Sequence, residues 1–207
     1  MFLKIQLFIV ASSVAVSSAL QFTDCATSKS CSSITVHQLD ILPWRIRFPG
    51  ELHASINVTV NRWINHLFFD TVVEKDTLGI WTKFPCIGNR GTCKGINLCT
   101  VLDKIRTNQT INNREFTLTE KIIFLTLGND ARCPIYPQTF LKDDMKLVLH
   151  KLPAALQFQF SGHYRIRIAV KDDPQSPDNI GCIEFEVDIN TKVPQPDIYT
   201  IPLPAVG

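Results

Sequence analysis

Apolar and polar residues alternate singly along much of this chain. Leu52, Ala54, Ile56, Val58 and Val60 are separated by His53, Ser55, Asn57 and Thr59. A period of two puts the apolar set on one face of a half-buried strand. Tyr164, Ile166, Ile168 and Val170 alternate with Arg165, Arg167 and Ala169, and Ile183, Phe185, Val187 and Ile189 with Glu184, Glu186 and Asp188. The basic face of one run and the acidic face of the other predict an antiparallel pair with cross-strand ion pairs. At a solvated face each such pair is worth well under ~1 kcal/mol. Met145, Leu147 and Leu149 repeat the alternation, and apolar runs at Ile34–Leu42, 67–75 and 80–84 add further strands. Residues 116–127 read as one long strand or a hairpin arm. Leu98, Val101, Leu102 and Ile105 recur at helical spacing, with Asn97 placed to cap a short amphipathic helix. The Asn-rich stretch 106–115 reads as a surface loop. Many short strands divided by turn signals predict an all-β fold, a sandwich or a cup.

The two ends do not follow this pattern. Met1-Phe-Leu-Lys4 precedes an apolar run and then Ser17-Ser-Ala19, which reads as a secretory signal peptide over 1–19. One domain is expected over 20–190. Residues 191–207 carry Pro194, Pro196, Pro202 and Pro204 without periodicity, and read as a disordered or polyproline-like tail. The formal charge of +2 includes Lys4, so the processed chain is near neutral. With no Lys/Arg cluster, a nucleic-acid partner is not expected. Seven cysteines in a secreted chain imply disulfides with one cysteine left over. In the same compartment Asn57-Val-Thr59 and Asn108-Gln-Thr110 are glycosylation sequons.

Catalytic and metal motifs are missing. There is no Gly-x-Ser-x-Gly elbow, no His-Glu-x-x-His and no glycine-rich phosphate loop. The histidines are scattered without ligand spacing, so no metal or other cofactor is expected. Asp143-Asp144 and Asp172-Asp173 are read as solvated loop acids rather than a general acid/base pair. A non-enzymatic protein follows. What remains is the run from Leu78 to Cys99. Leu78, Ile80 and Trp81 surround Gly79 just ahead of Cys86, Cys93 and Cys99. It reads as an apolar loop beside a stapled turn, with a tryptophan suited to a membrane interface.

Val73-Glu-Lys75, Leu78-Gly-Ile-Trp-Thr-Lys-Phe-Pro-Cys86, Gly91-Thr-Cys93 and Leu98-Cys-Thr-Val-Leu-Asp103 follow one another in order. With Phe22-Thr-Asp-Cys25, Gly162-His-Tyr-Arg-Ile166 and Gly181-Cys-Ile183, they resemble the glycolipid-activator members of the ML (lipid-recognition) domain family over about 22–189. The resemblance implies an immunoglobulin-like β-sandwich opened into a cup with an apolar lipid cavity. It implies disulfides Cys25–Cys182, Cys86–Cys93 and Cys99–Cys133, leaving Cys31 without a counterpart. It also implies a carrier that takes a glycolipid or other lipid from a membrane and presents it to a lysosomal hydrolase. Leu78, Ile80 and Trp81 would form one membrane-contacting rim and Leu156, Phe158 and Phe160 another, with the Tyr164 hydroxyl at the cavity mouth. This chain departs from the pattern in three places. It lacks a further cysteine pair before Cys133, its 104–132 segment is longer, and Leu152-Pro-Ala-Ala-Leu156 stands where the family has an exposed tryptophan. A secreted recognition module of the same sandwich architecture, without a lipid cargo, is the competing reading.

Overall fold

The computed structural model describes residues 20–27, 32–87, 91–111, 127, 132–153, 157 and 159–191. Among the described residues the named elements follow in the order β1 (Phe22–Asp24), β2 (Ile34–Leu42), β3 (Arg45–Arg47), β4 (Gly50–Val60), β5 (Phe68–Thr77), β6 (Ile80–Lys83), β7 (Cys93–Asn97), α1 (Leu98–Ile111), β8 (Gln138–Leu149), β9 (Gly162–Lys171) and β10 (Gly181–Asn190). They form two sheets. A seven-stranded sheet runs β1-β10-β9-β5-β6, with β3 also on β10 and β7 also on β5; a three-stranded sheet runs β2-β4-β8. Pairing is antiparallel throughout except for β3, which lies parallel to β10.

The alternation read from the sequence sets which side chains face inward. Register places Val73 beside Ile166 and Thr71 beside Ile168, Ile168 beside Ile183 and Tyr164 beside Val187. In the smaller sheet Leu39 lies beside Ile56 and Ile41 beside Ala54. The two apolar faces meet at their ends. At one end Leu98 and Leu102 of α1 pack on Val60, Ile64, Leu67, Ile135 and Val170, and Ile105 of the same helix is buried as well. At the other, Tyr164 and Val187 gather Leu39, Ile41, Ile46, Val73, Phe84 and Ile166.

Asn97 caps α1, accepting a hydrogen bond from the Thr100 amide at 3.1 Å. The helix then runs on to Ile111, so the loop expected over 106–115 is replaced by helix as far as Ile111. The polar run belongs to turns beyond the buried Leu98–Leu102–Ile105 stripe. There Asp103 holds Arg106 at 3.3 Å and its carbonyl accepts the Thr107 hydroxyl at 2.8 Å. Polar composition cannot distinguish such a solvated helix end from a loop. Of 116–127 only Leu127 is described; it is helical and packs on the α1 core, unlike the strand expected there. Asp143 and Asp144 lie within β8 rather than a loop, next to a bulge where Ser55 Oγ accepts the Asp144 amide. Arg165 pairs with Glu74 on its other neighbour, at 2.7 Å, rather than across to β10. Two of the acids of β10 are taken up by His163 instead, which meets Glu186 at 3.0 Å and Asp188 at 2.6 Å.

Three disulfides join Cys25 to Cys182, Cys86 to Cys93 and Cys99 to Cys133, the pairing that the resemblance implied. The first spans 157 residues, worth about 5 kcal/mol in the chain-entropy account. Cys31, residues 1–19 and residues 192–207 lie outside the described residues.

Candidate functional site at the rim and interior of the cup

The β5–β6 connection is a two-residue hairpin at Leu78 and Gly79, with Thr77 paired to Ile80. Both turn residues have positive φ, 58° at Leu78 and 83° at Gly79. Asp76 Oδ1 accepts the Gly79 amide at 2.7 Å. Such turns favour Asn-Gly or Gly-Gly, because a left-handed backbone crowds a side chain. Leucine here is 99% exposed. It therefore suits neither the backbone nor burial within this chain. Ile80, next along, is 69% exposed.

Parity then separates the two neighbours. Ile80 and Thr82 share the inner face with Lys75, whereas Trp81 lies opposite Asp76 on the outer face. Trp81 is half-buried there. The Arg165 guanidinium carbon sits 4.5 Å from its ring centroid and the His163 ring 5.6 Å away, a cation–π stack layered on the Arg165–Glu74 pair. His163 keeps its proton to higher pH than an ordinary imidazole. Burial opposes the charge, but the hydrogen bonds to Asp188 and Glu186 outweigh it.

On the same sheet, just ahead of β9, Phe160 is 37% exposed and stacks on Phe84 with centroids 6.1 Å apart. Tyr164 lies beneath them, 5.8 Å from Phe84 and only 3% exposed. Its hydroxyl donates to the Gln159 carbonyl at 3.2 Å, and burial pushes its pKa up to about 12. The hydroxyl expected at a cavity mouth is thus engaged below the rim. Lys75 reaches the same carbonyl at 2.9 Å. It passes beside Gly162, where an added Cβ would lie 2.6 Å from Lys75 Cε. Gly162 also has φ +148°, a backbone conformation that side chains rarely adopt, and the Lys75 latch beside it holds the Phe160 segment over β5. Lys75 went unread as a site residue, although its place two beyond Val73 marks it as inward-facing. Leu156 and Phe158 lie outside the described residues. The Asn57 sequon lies mid-way along β4 on the outer face, beside Leu141 of β8; the Asn108 sequon falls in α1.

Between the two packed ends the inner faces stay open. Ile56, Val58, Ile168 and Ile183 point inward by register yet are only half-buried, and they belong to neither buried cluster. A filled sandwich interdigitates such residues to crystal-like density. Here the middle of the sandwich keeps accessible apolar surface. Among the described residues no cluster of metal-ligating side chains occurs, and no helix is long and apolar enough to cross a membrane.

Two apolar sheet faces that are sealed at the ends and unsealed between them define the class: an all-β cup. The family follows from sequence comparison. The ML domain model matches residues 19–189, and the chain belongs to the family of ML lipid-recognition domains. It is similar to the ganglioside GM2 activator of Macaca fascicularis, 25% identical over 154 residues that cover 72% of this chain and 73% of that one. Among solved structures it is similar to a Niemann-Pick type C2 protein from the Japanese carpenter ant. That likeness has a TM-score of 0.41 at 12% identity, covering 82% of this chain and 99% of the other.

Proposed function

We propose that this protein is a non-enzymatic lipid carrier of the secretory pathway, secreted or lysosomal. It takes a glycolipid or other membrane lipid into the space between its sheets and presents it, in the manner of an activator, to a lysosomal hydrolase. The observation that carries this reading is the half-exposed inner face at Ile56, Val58, Ile168 and Ile183. A lipid acyl chain would cover that surface at about 0.8 kcal/mol per methylene, without any single strong polar contact. The similarity to a ganglioside activator supports a glycolipid as cargo.

Leu78, Ile80 and Phe160 form the membrane-contacting rim in this reading, together with Leu156 and Phe158. Trp81, braced under Arg165, lies at the interface behind the tip. Each large side chain buried in lipid contributes roughly 1.5–3 kcal/mol, which suits a contact that must also be released. The reading includes removal of residues 1–19 and glycans at Asn57 and Asn108.

Native mass spectrometry of protein purified from a eukaryotic secretory host tests the cargo. Transfer of a fluorescent glycolipid between liposomes tests the activity. Retained lipid is expected, and Ile168→Trp, which fills the interior, is expected to lower both lipid retention and transfer. Protein that carries no lipid and transfers none, whether glycolipid or phospholipid, would refute the proposal.

A further inference from the structure

Strand β3 places two arginines where neither has a strong partner. Ile46 packs inward in the core with Tyr164, Leu39 and Ile41, so Arg45 and Arg47, two apart, both point outward about 7 Å apart along the strand. Parallel pairing sets Arg45 beside Asp188 and Arg47 beside Asn190. Asp188 gives one oxygen to His163 Nδ1 at 2.6 Å, leaving the other 3.7 Å from Arg45 Nε. Arg45 rests on the Trp44 ring, 4.5 Å from its centroid. Arg47 has an amide rather than a carboxylate as its neighbour, and among the described residues no carboxylate pairs with it. These arginines, with Gly162, His163, Asp188 and Asn190, line a cleft of about 450 Å³. Gly162 contributes no side chain to its wall.

Structure alone gives little reason for this arrangement. An edge strand with one inward isoleucine needs polar flanks but not two guanidinium groups in a concavity. Guanidinium groups present forked donors suited to phosphate and carboxylate oxygens. Asp188 faces both Arg45 and His163, and Glu186 faces His163 from its other side, so the positive charge left over lies at the Arg47 end. The cleft also has a definite place in the molecule. Tyr164 pairs with Lys75, so Gly162 lies at the end of the sheet that carries the Leu78 turn. The cleft opens within about three strand spacings, on the order of 15 Å, of that apolar tip.

The geometry points to a phosphate-binding site in the cleft between β3 and the β9–β10 edge, centred on Arg47 and Arg45. Its ligand is a phosphate carried on a lipid headgroup or free in solution. The headgroup form rests on the carrier reading above; the free-anion form does not.

Both sources are tested on the intact, disulfide-bonded protein. Inorganic phosphate is titrated while amide chemical shifts are followed, and flotation is measured with phosphatidylcholine vesicles with and without phosphatidic acid. The variants are Arg47→Ala, Arg45→Ala with Arg47→Ala, and Lys104→Ala on exposed α1 as a charge control. Shifts confined to 45–47, 162–163 and 188–190 and abolished in the double variant establish the site. Binding to phosphatidic-acid vesicles should fall about fivefold per arginine, with binding to phosphatidylcholine unchanged. Phosphate-induced shifts without a vesicle effect assign a soluble ligand; a vesicle effect without such shifts assigns the headgroup. The inference is overturned if phosphate shifts no residue of the cleft and Lys104→Ala weakens vesicle binding as much as Arg47→Ala. Glycolipid transfer from phosphatidylcholine vesicles by the double variant separates the two proposals: transfer at the wild-type rate leaves the carrier reading intact whatever the cleft does.

Discussion

Replacing Leu78 with asparagine should move stability and membrane binding in opposite directions. Leu78 holds a left-handed backbone conformation, φ 58°, with its side chain 99% exposed. A side chain in that conformation costs on the order of 1 kcal/mol, which asparagine largely relieves. No burial within the protein is lost in exchange, because the leucine has none. Leu78→Asn should therefore raise the unfolding free energy by about 1 kcal/mol, or roughly 2–4 °C in melting temperature for a domain of this size. The same change removes an apolar side chain worth roughly 1.5–3 kcal/mol on entering lipid. Vesicle partitioning should then fall by about 10- to 100-fold. Denaturant unfolding and liposome flotation on one preparation measure both effects. A variant that is less stable, or that binds vesicles as tightly as the parent, would refute the assignment of this turn to a contact outside the protein.

Other predictions concern the frame behind the rim. Gly91→Ala should destabilise by about 3 kcal/mol in urea unfolding, since its φ is +92° and an added Cβ would lie 2.2 Å from the Pro85 carbonyl oxygen. Asp70 is partly buried, yet its carboxyl is held below the usual range; burial raises it, but the Gly95 amide and Lys171 at 3.0 Å outweigh that. Its contribution is present above the unfolded-state value near 3.9 and is lost as pH falls through the lower folded value. Asp70→Asn should therefore destabilise at pH 7 by about 2–4 kcal/mol and flatten the acid limb of a stability–pH curve. His163 has the opposite sign. Its folded-state value is raised, so its contribution is complete below about 6.5 and fades as pH rises through the higher folded value. His163→Gln should shrink the stability difference between pH 5.5 and pH 8 in thermal melts, and an unchanged difference would exclude this histidine as its source.

The inward faces of β4, β9 and β10 were legible because period two survives wherever one face is buried. The helix start was legible because Asn97 precedes a 3.6-residue stripe. Strands β3 and β7 were not, since a three-residue Arg-Ile-Arg and a Cys-Lys-Gly-Ile-Asn carry too few alternations to signal a strand, and β3 is fixed by pairing with a distant partner. The side of Trp81 was hidden for a related reason. Nearness to an apolar turn says nothing about strand parity, which only the pairing of Asp76 with Trp81 decides. The Arg165–Glu74 pair was missed because charge patterns on β9 and β10 suggest each other, while strand order puts β5 on the other side of β9. The half-open interior has no sequence signature of its own, because an unfilled sandwich and a filled one share the same alternation.

The short strands also govern what can add itself to the larger sheet. Along β10, β1 pairs with residues 183–185 and β3 with 188–190. Along β5, β7 covers the stretch from Phe68 to Thr71 and β6 that from Glu74 to Thr77. Each flank of the larger sheet is thus closed by two brief segments instead of one long strand. A long bare margin of amide and carbonyl groups would invite another chain to add itself by β-augmentation. For a molecule that displays a bare leucine at its tip and keeps apolar surface inside, dividing each margin of the larger sheet in two limits strand addition there to contacts too short to propagate.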